Sequence, residues 1–457
     1  MKKKILCVLM TVFMLFSVIG TGCNGDDEKP GNNNNNNNNS SGGPRKITVG
    51  TWFDVYYTSK HTDPYDNPLV ANEENAIIQL ANMRAIEAKY NVTLDFVNLT
   101  FTGIQESITT SIMAGQPDCD IYQVDLQFGI PTVLNDFATS LESMGLQDTD
   151  VFNAKEVVKN LQLPGQDETY LFKPSITSAL DVYPLAFNLD MILENNLENP
   201  QDLWEKGEWT WDKWREYLLV LTDTSKGTYG WSGYWTNMLS NLLFSNDASI
   251  APGPKTTITD PKTLEVLHLI HTIYNTDRTG RPWDESGWEI NNNLYAEQRS
   301  GFFIGADWLF NEQGGGPEMP VNFEIGVVPW PVGPSGNKDT NKHGEVAGNW
   351  YLIPKYVDNP RLVYDVFFDW LNWYDYDAEL AVDMEWCENS YMTARNFELA
   401  FMMNQNTGLE LWNNIGITGG GEGAFSMIPI MNGEETASQY ATGISQIVQD
   451  ALDTFFN

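Results

Sequence analysis

Side chains that could bind a ligand, an aromatic ring together with carboxylates and an amide, stand at two points where strands are predicted to end. Trp52 and Asp54 follow the first predicted strand, and Asp125 and Gln127 follow the third. A flat ring packs against C–H-rich faces, while carboxylates and amides form hydrogen bonds with hydroxyl groups. This combination favours recognition of a polyhydroxylated ligand. The alternative for each residue is ordinary loop chemistry, since Asp also caps helices.

A run of alternating strands and helices must position these residues. Strands are predicted at 47–49, 92–97 and 120–124. The two intervening helices carry apolar residues at helical spacing, and a capping box of Thr102 and Gln105 is expected to start the second; the apolar residues are Ile77, Leu80, Met83, Ile86, Tyr90, Ile104, Ile108 and Ile112. This order predicts a parallel sheet with crossover helices. Ligands bind outside the carboxyl ends of such strands, so Trp52 and Asp125 should share one rim.

A second region is expected from about residue 176 onwards. Thr210 is predicted to cap a helix that carries Trp211, Trp214, Leu218 and Leu221. Further helices are predicted near 264–274, 361–374 and 437–456, and short strands at 302–304 and 323–328. The sequence therefore indicates an α/β protein with at least two parts.

The first 45 residues are typical of an export signal followed by a tether. Three lysines precede the apolar run from Ile5 to Ile19, and Gly20-Thr21-Gly22 leads into Cys23. Cys23 resembles the lipidation site of bacterial lipoproteins, although Gly20 stands where those proteins usually have Leu, Val or Ile. We expect residues 1–22 to be a signal peptide and residues 23–45, with eight consecutive asparagines, to be a flexible tether. Ordinary secretion is the alternative.

Composition limits the classes of partner. The chain of 457 residues has 26 basic and 61 acidic side chains, a net charge of −35, which argues against nucleic acid and against direct adhesion to anionic lipid.

Cys119 and Cys387 are expected to be either a disulfide or two buried thiols. His268 and His271 lack a third ligand, and no nucleophile elbow, P-loop or zinc-protease motif is found. No metal and no cofactor are therefore expected.

Five segments resemble one family in the same order. They are YPLAFNLDMILENNLENPQDLWEKGEWTWDKWREYLLVLT at 183–222, YGWSGYW at 229, AEQRSGFFIGADWLFN at 296, VPWPVGP at 328, and GNWYLIPKYVDNPRLVYDVFFDWL at 348. Together they resemble the extracellular solute-binding proteins of family 1, the maltose-binding-protein-like lipoprotein receptors of carbohydrate-importing ABC transporters. The resemblance covers nearly everything after the tether.

The resemblance implies a two-lobe periplasmic-binding-protein fold of type II, with a ligand cleft between lobes joined by hinge crossings. Lobe I would take residues 46–178 and 350–395, and lobe II residues 179–349 and 396–457. The crossings would lie near 176–183, 348–351 and 395.

Further ligand-contacting residues follow from the same resemblance. Asp307 and Trp308 stand where family receptors place an aromatic against the ligand. One of Trp231, Tyr234 and Trp235 is expected in the cleft, and the alternative for each of these aromatics is a place in the core. Asp181 and Trp350 lie near crossings, where cleft and hinge roles are hard to separate.

The sequence thus predicts a lipid-anchored, monomeric, non-enzymatic protein outside the membrane that captures an oligosaccharide and delivers it to ABC permease subunits. Contact with the membrane would be through the lipid on Cys23 only. One alternative is a surface-anchored glycoside hydrolase, for which Asp383 and Glu385 are an example of a carboxylate pair. The other is a binding protein of the same fold for a peptide or amino acid.

Overall fold

The structure of the chain is a computed structural model. It describes residues 43–68, 70, 72–146, 157–163, 166–175, 181–283, 289–310, 321–377, 380, 390, 393–415 and 425–456. The predicted signal peptide, the lipid site Cys23 and most of the tether lie outside the described residues, as do Asp383, Glu385 and Cys387.

Six strands form the first sheet, in the order β2-β1-β3-β11-β5-β4. They are β1 (Arg45–Thr51), β2 (Val92–Asn98), β3 (Ile121–Val124), β4 (Val158–Leu161), β5 (Leu171–Pro174) and β11 (Trp350–Leu352). Strands β1, β2 and β3 are parallel, which confirms the predicted parallel sheet. Strand β11 is antiparallel to both β3 and β5.

Helices α1 (Glu73–Tyr90) and α2 (Phe101–Ser107) connect the parallel strands, and α3 (Leu126–Leu134) follows β3. The side chain of Asn72 caps α1, and Asn91 ends it in the left-handed region at φ 53°. Ile77 was predicted to face the core and is 52% exposed, because the buried stripe of α1 passes through Ala76 and Leu80 instead.

The predicted capping box of α2 was wrong. Thr100 is the capping residue, and its hydroxyl accepts from the N–H of Gly103 at 3.2 Å, so Thr102 already lies inside the first turn. Ile104, Ile108 and Ile112 are buried as expected. They stay on one face although the helix continues as a π-helical turn over Ile108–Ile112.

Four strands form the second sheet, in the order β7-β8-β6-β9. They are β6 (Leu185–Asn188), β7 (Tyr229–Trp231), β8 (Ser300–Ile304) and β9 (Ile325–Val328). Strand β6 is antiparallel to β8 and β9, and β7 is parallel to β8. A separate pair joins β10 (His343–Gly344) to β12 (Thr407–Gly408).

Eleven further α-helices are described, among them those predicted from the sequence. They are α4 (Leu189–Glu194), α5 (Pro200–Lys206), α6 (Trp211–Leu221), α7 (Trp235–Ser245), α8 (Pro261–His271), α9 (Glu289–Ala296), α10 (Asp307–Phe310), α11 (Pro360–Leu371), α12 (Ala394–Asn404), α13 (Ile428–Met431) and α14 (Ala437–Phe456). Thr210 caps α6 as predicted, accepting from the N–H of Lys213. None of the described helices combines the length and apolarity that a bilayer crossing requires.

The chain passes between the two sheets more than once. It leaves the first sheet after β5 and enters the second at β6, and β11 returns it to the first sheet after β9. The return strand lies between β3 and β5, so the segment just before β11 runs close to the carboxyl end of β3. The residue bounds of the two lobes stay a prediction.

Strand β2 is at one edge of the first sheet, and the loop after β1 covers part of it. The backbone N–H of Ser59 donates to the carbonyl of Leu94 at 3.0 Å, and the Ser59 hydroxyl accepts from the Leu94 N–H at 2.8 Å. Arg84 holds the same loop by donating to the carbonyl oxygens of Thr58, Ser59 and His61. The loop therefore satisfies backbone groups that an edge strand would leave open.

Candidate ligand-binding site

The loop that starts at Trp52 is fixed to the ends of two neighbouring strands. The backbone N–H of Trp52 donates to Oε1 of Gln123 in β3 at 3.3 Å, and Asp54 accepts from Nδ2 of Asn98 at the end of β2 at 3.1 Å. The Trp52 side chain is half-buried and Asp54 is exposed. These bonds hold both side chains at the carboxyl end of the parallel strands, where ligands bind in sheets of this type.

Asp125 both caps a helix and faces the return segment of the chain. Its Oδ1 accepts from the backbone N–H of Gln127 at 2.9 Å, which makes it the N-cap of α3. Burial raises the pKa of Asp125, although hydrogen bonds from Gln127 act in the opposite direction. Gln127 is exposed. The capping role given as the alternative for Asp125 is therefore real, and the Gln127 side chain also donates to this carboxylate. A carboxylate can accept about four hydrogen bonds, so these two contacts leave acceptor capacity for a ligand.

Trp52 and Asp125 converge on Gly348. A methyl group at Gly348 would lie 3.8 Å from Cζ2 of Trp52 and 3.8 Å from Oδ2 of Asp125. The N–H of Leu126 donates to the carbonyl of Ala347 at 3.0 Å, which holds the two segments together. An aromatic edge and a carboxyl oxygen thus meet beside the chain crossing that precedes β11.

Gln123 is a buried polar residue that the sequence reasoning missed. Besides accepting from Trp52, it donates from Nε2 to Oδ1 of Asn349 at 2.9 Å, and its side chain is fully buried. Asn349 has φ 64°, a left-handed conformation that is uncommon outside glycine. A polar residue inside a predicted buried strand, two positions before Asp125, was the signal that could have revealed it.

Three aromatic rings meet at the same end of the first sheet. The centroid of Phe101 lies 5.5 Å from that of Trp52 and 5.3 Å from that of Phe128, and Trp52 and Phe128 are 6.5 Å apart, all edge-to-face. Phe101 is 42% exposed and Phe53 is 46% exposed. We call Trp52, Phe101 and Phe128 the aromatic rim. The sequence analysis did not single out Phe101, although it lies three residues after the end of β2.

The candidate aromatics of the second sheet have different environments. Trp231 is fully buried; its indole N–H donates to the hydroxyl of Tyr274 at 3.1 Å, and its ring packs edge-to-face on Trp214 and Trp330. Trp231 thus has the core position that was its alternative. Tyr234 and Trp235 are half-buried at the start of α7.

Buried aromatic neighbours support Tyr234 and Trp235. Trp235 stacks on Trp412 with centroids 5.9 Å apart, and Tyr234 meets Phe303 edge-to-face at 6.1 Å. Trp412 is fully buried, so it backs the Trp235 ring from the core side. Of this group, Tyr234 and Trp235 therefore keep ring surface for a ligand.

Asp307 and Trp308 begin α10, directly after β8 and Gly305. Their backbone lies where the sequence predicted a strand to end, and their side chains are outside the described residues. Their role stays a prediction.

Four charged side chains form a buried group where the chain passes between the sheets. Lys173 Nζ lies 2.7 Å from Glu345 and 3.0 Å from Asp181, while Lys159 Nζ lies 3.1 Å from Asp181 and 3.6 Å from Glu345. Both lysines come from the first sheet. We call Lys159, Lys173, Asp181 and Glu345 the crossing cluster. Each cation contacts both anions, so the charges balance within the cluster.

Three members of the crossing cluster are shielded from water, while the Lys159 side chain is 29% exposed. The Lys173 side chain is 1% exposed and its Nζ lies 4.6 Å from the ring centroid of Trp350, a cation–π contact. Burial alone would raise the pKa of Glu345, but Lys173 and Lys159 outweigh it, so the pKa lies below its ordinary value. Of the two residues predicted near crossings, Asp181 therefore belongs to this cluster and Trp350 packs against it.

Outside these groups, the described residues provide neither an exposed thiol nor a metal site. Cys119 is a free, buried thiol, and burial raises its pKa to about 12. The described residues contain no group of three or more His, Cys, Asp or Glu side chains placed to hold a metal ion. What the arrangement offers is ring faces and carboxyl oxygens beside a hinge.

Comparison with known proteins gives the fold. No family model and no curated protein matches the sequence. The structure is similar to an ABC substrate-binding protein from Listeria monocytogenes in complex with cycloalternan, with a TM-score of 0.61 and 14% identity over 90% of this chain and 99% of that one. It is also similar to the cyclic α-maltosyl-1,6-maltose binding protein from Arthrobacter globiformis, with a TM-score of 0.60 and 14% identity over 90% and 100% of the chains.

A third similar structure has a different kind of ligand. UgpB from Mycobacterium tuberculosis, in complex with glycerophosphocholine, aligns with a TM-score of 0.58 and 12% identity over 90% of this chain and 99% of that one. At these identities the likeness shows the fold alone. The predicted two-lobe α/β binding-protein fold is confirmed.

Proposed function

We propose that this protein is the substrate-binding component of an ABC importer, which captures a carbohydrate outside the membrane and delivers it to the permease. The observation that carries the proposal is the convergence of the Trp52 ring edge and Oδ2 of Asp125 beside the crossing, within a two-lobe fold. In that place an aromatic ring and a carboxyl oxygen can serve the apolar face and the hydroxyl groups of one sugar unit.

The ligand would be held between the two lobes. Trp52, Asp54, Asp125 and Gln127 would act from lobe I, and Tyr234 and Trp235 from lobe II together with Asp307 and Trp308. Lobe I would comprise residues 46–178 and 350–395, and lobe II residues 179–349 and 396–457. A rotation absorbed by a few residues at the crossings would close the cleft on the ligand.

The carboxylates near the aromatic rim favour a neutral ligand over an anion. Asp54 and Asp125 are acidic, and both described lysines near the crossing are paired within the crossing cluster. The complex of a similar structure with glycerophosphocholine makes a zwitterionic ligand the second candidate. A choline group would favour the aromatic rim, but its phosphate would meet the two carboxylates.

A binding screen tests the proposal. Neutral saccharides of one to seven units, glycerophosphocholine, peptides and amino acids are tested by thermal shift, and hits are confirmed by calorimetry. A ligand at 100 times its Kd should add about 2.7 kcal/mol to the free energy of unfolding. Each hit is then incubated for hours and analysed for products. Cleavage of a bound saccharide would favour the surface-anchored hydrolase instead.

The proposal also includes a lipid anchor at the membrane and a monomeric state. Residues 1–22 would be removed as a signal peptide, lipid on Cys23 would hold the protein at the membrane, and the body would remain a monomer. Mass spectrometry of the mature N-terminus should find a diacylated cysteine, and Cys23→Ser should release the protein from membranes. An unmodified N-terminus elsewhere would indicate ordinary secretion.

A further inference from the structure

We propose that Phe101 forms an outer aromatic subsite for the second and later units of an oligosaccharide, which makes the protein prefer longer saccharides to single sugars. The subsite rests on the proposed carbohydrate-binding function and gives it a ligand length. Phe101 was not singled out by its sequence pattern.

The aromatic rim extends away from the chain crossing. Among the described residues, leaving aside the chain neighbours of Gly348, only Trp52 and Asp125 have atoms within 4 Å of a methyl group placed there, so Trp52 marks the end of the rim at the crossing. Phe101 contacts Trp52 and Phe128 and does not reach that position. A ligand seated beside Trp52 and Asp125 therefore meets Phe101 only if it continues outward from the crossing.

Phe101 is held in place before any ligand arrives. Two edge-to-face contacts, to Trp52 and to the buried Phe128, fix one side of its ring, and the other side is open to solvent. Thr100, with φ 65°, caps the helix that Phe101 begins. A ring fixed in this way loses little conformational freedom on binding, which favours affinity.

The surroundings of Phe101 suit a neutral polyhydroxylated chain. Asp54, two residues after Trp52, is exposed and accepts a hydrogen bond from Asn98, three residues before Phe101, so a carboxylate and an amide lie near the apolar rings. Hydroxyl groups donate to a carboxylate, whereas an anionic ligand would be repelled by it. An oligosaccharide combines C–H-rich faces and hydroxyl donors along one chain, which is the combination that this surface offers.

A length series on two matched variants tests the subsite. Phe101→Ala removes the proposed contact; the control Phe401→Ala removes a ring of similar exposure, 39%, that stacks on Phe397 of α12 in the second region. Calorimetry measures the affinity for saccharides of one to seven units of the type that the native protein binds. Loss of about 60 Å² of apolar contact should weaken binding of the longer chains about tenfold. The shortest ligand should bind as before, and Phe401→Ala should match the native protein throughout.

Phe101→Leu separates contact with the ligand from support of Trp52. Leucine keeps apolar volume against Trp52 and Phe128 but lacks a flat face, so it should also lose affinity for the longer chains only. An equal loss at every length in both variants would mean that Phe101 merely positions Trp52, and the subsite would be wrong.

The remaining outcomes are equally decisive. No loss at any length would overturn the subsite, as would a change in self-association measured by sedimentation without a change in saccharide affinity, since a second copy would then cover the ring. If the native protein bound no saccharide of any length, the proposed function itself would fall, and the subsite with it.

Discussion

The aromatic rim and the crossing cluster flank strand β11 on opposite sides of the first sheet and differ in chemistry: the rim residues follow β1, β2 and β3, whereas the cluster's lysines come from β4 and β5. The crossing cluster consists of four charges paired with one another, and three of its side chains are at most 12% exposed. The aromatic rim consists of apolar rings, of which Phe101 is 42% exposed. A buried charge without its partner is costly, so the cluster specifies one arrangement. An exposed ring gains by being covered, so the rim is ready for a partner.

Lys173→Met should have the largest effect of the changes that break this contrast. It leaves Asp181 and Glu345 sharing Lys159 alone, and the free energy of unfolding should fall by about 3–5 kcal/mol. Denaturant unfolding measures the change. Lys206→Met, which breaks an exposed pair with Glu198, is the matched control and should leave stability unchanged. Equal stability of the two variants would show that the cluster is no more specific than a surface pair.

Trp52→Ala should produce the opposite pattern, a loss of binding with a smaller loss of stability. Removing about 100 Å² of ring contact with the ligand should weaken binding by about 2.5 kcal/mol. Calorimetry measures the affinity and thermal unfolding the stability. Trp231→Ala is the contrasting variant, because a fully buried ring costs about 3–5 kcal/mol of stability when truncated. Native affinity in Trp52→Ala would make Trp52 structural.

Gln123→Met sharpens the comparison because Gln123 links Trp52 of the aromatic rim to Asn349, the residue before Trp350. The variant loses the hydrogen bonds to the Trp52 N–H and to Asn349, and the affinity should fall by about 1 kcal/mol through misplacement of Trp52. The combined variant with Trp52→Ala should bind no more weakly than Trp52→Ala alone. Fully additive losses would show that Gln123 acts independently of Trp52.

The last prediction concerns the pH dependence of stability that protonation of Glu345 produces. Its pKa is lowered in the folded protein, so its contribution to stability is present above the ordinary glutamate value of 4.5 and is lost as the pH falls through the lower folded value. Glu345→Gln should therefore be less stable than the native protein at pH 7, with a difference that narrows towards pH 3. Unfolding series at both pH values measure it. A constant difference would mean that Glu345 is not stabilised as an anion.

The strands and helices of the first sheet follow from local sequence patterns, whereas the site depends on contacts between distant segments. Strands β1 to β3 and the helices between them could be predicted because their apolar spacing is local. Trp52 and Trp231 both lie where a short strand ends, yet one is half-exposed and the other fully buried. Trp231 is buried because aromatic rings from other segments of the chain pack around it.

The crossing cluster could be predicted even less well from local sequence patterns. Asp181 was singled out, but Lys173 reads as an ordinary strand residue and Glu345 as a loop residue, and nothing local pairs them. Phe101 has a related explanation, because Thr100 caps α2 with φ 65° and ψ 163°, a backbone conformation that sequence patterns do not reveal. The residues that the sequence could place were those whose role depends on the next few neighbours.

The loop that covers β2 limits pairing between the sheet edges of neighbouring molecules. Ser59 occupies both backbone groups of Leu94, so the edge of the first sheet offers no continuous row of open donors and acceptors there. Proteins held side by side at a membrane meet at high local concentration, where open strand edges pair and aggregate. If the proposed lipid anchor holds, one serine in a loop that also presents Trp52 would help neighbouring copies to remain separate and free to turn towards the permease.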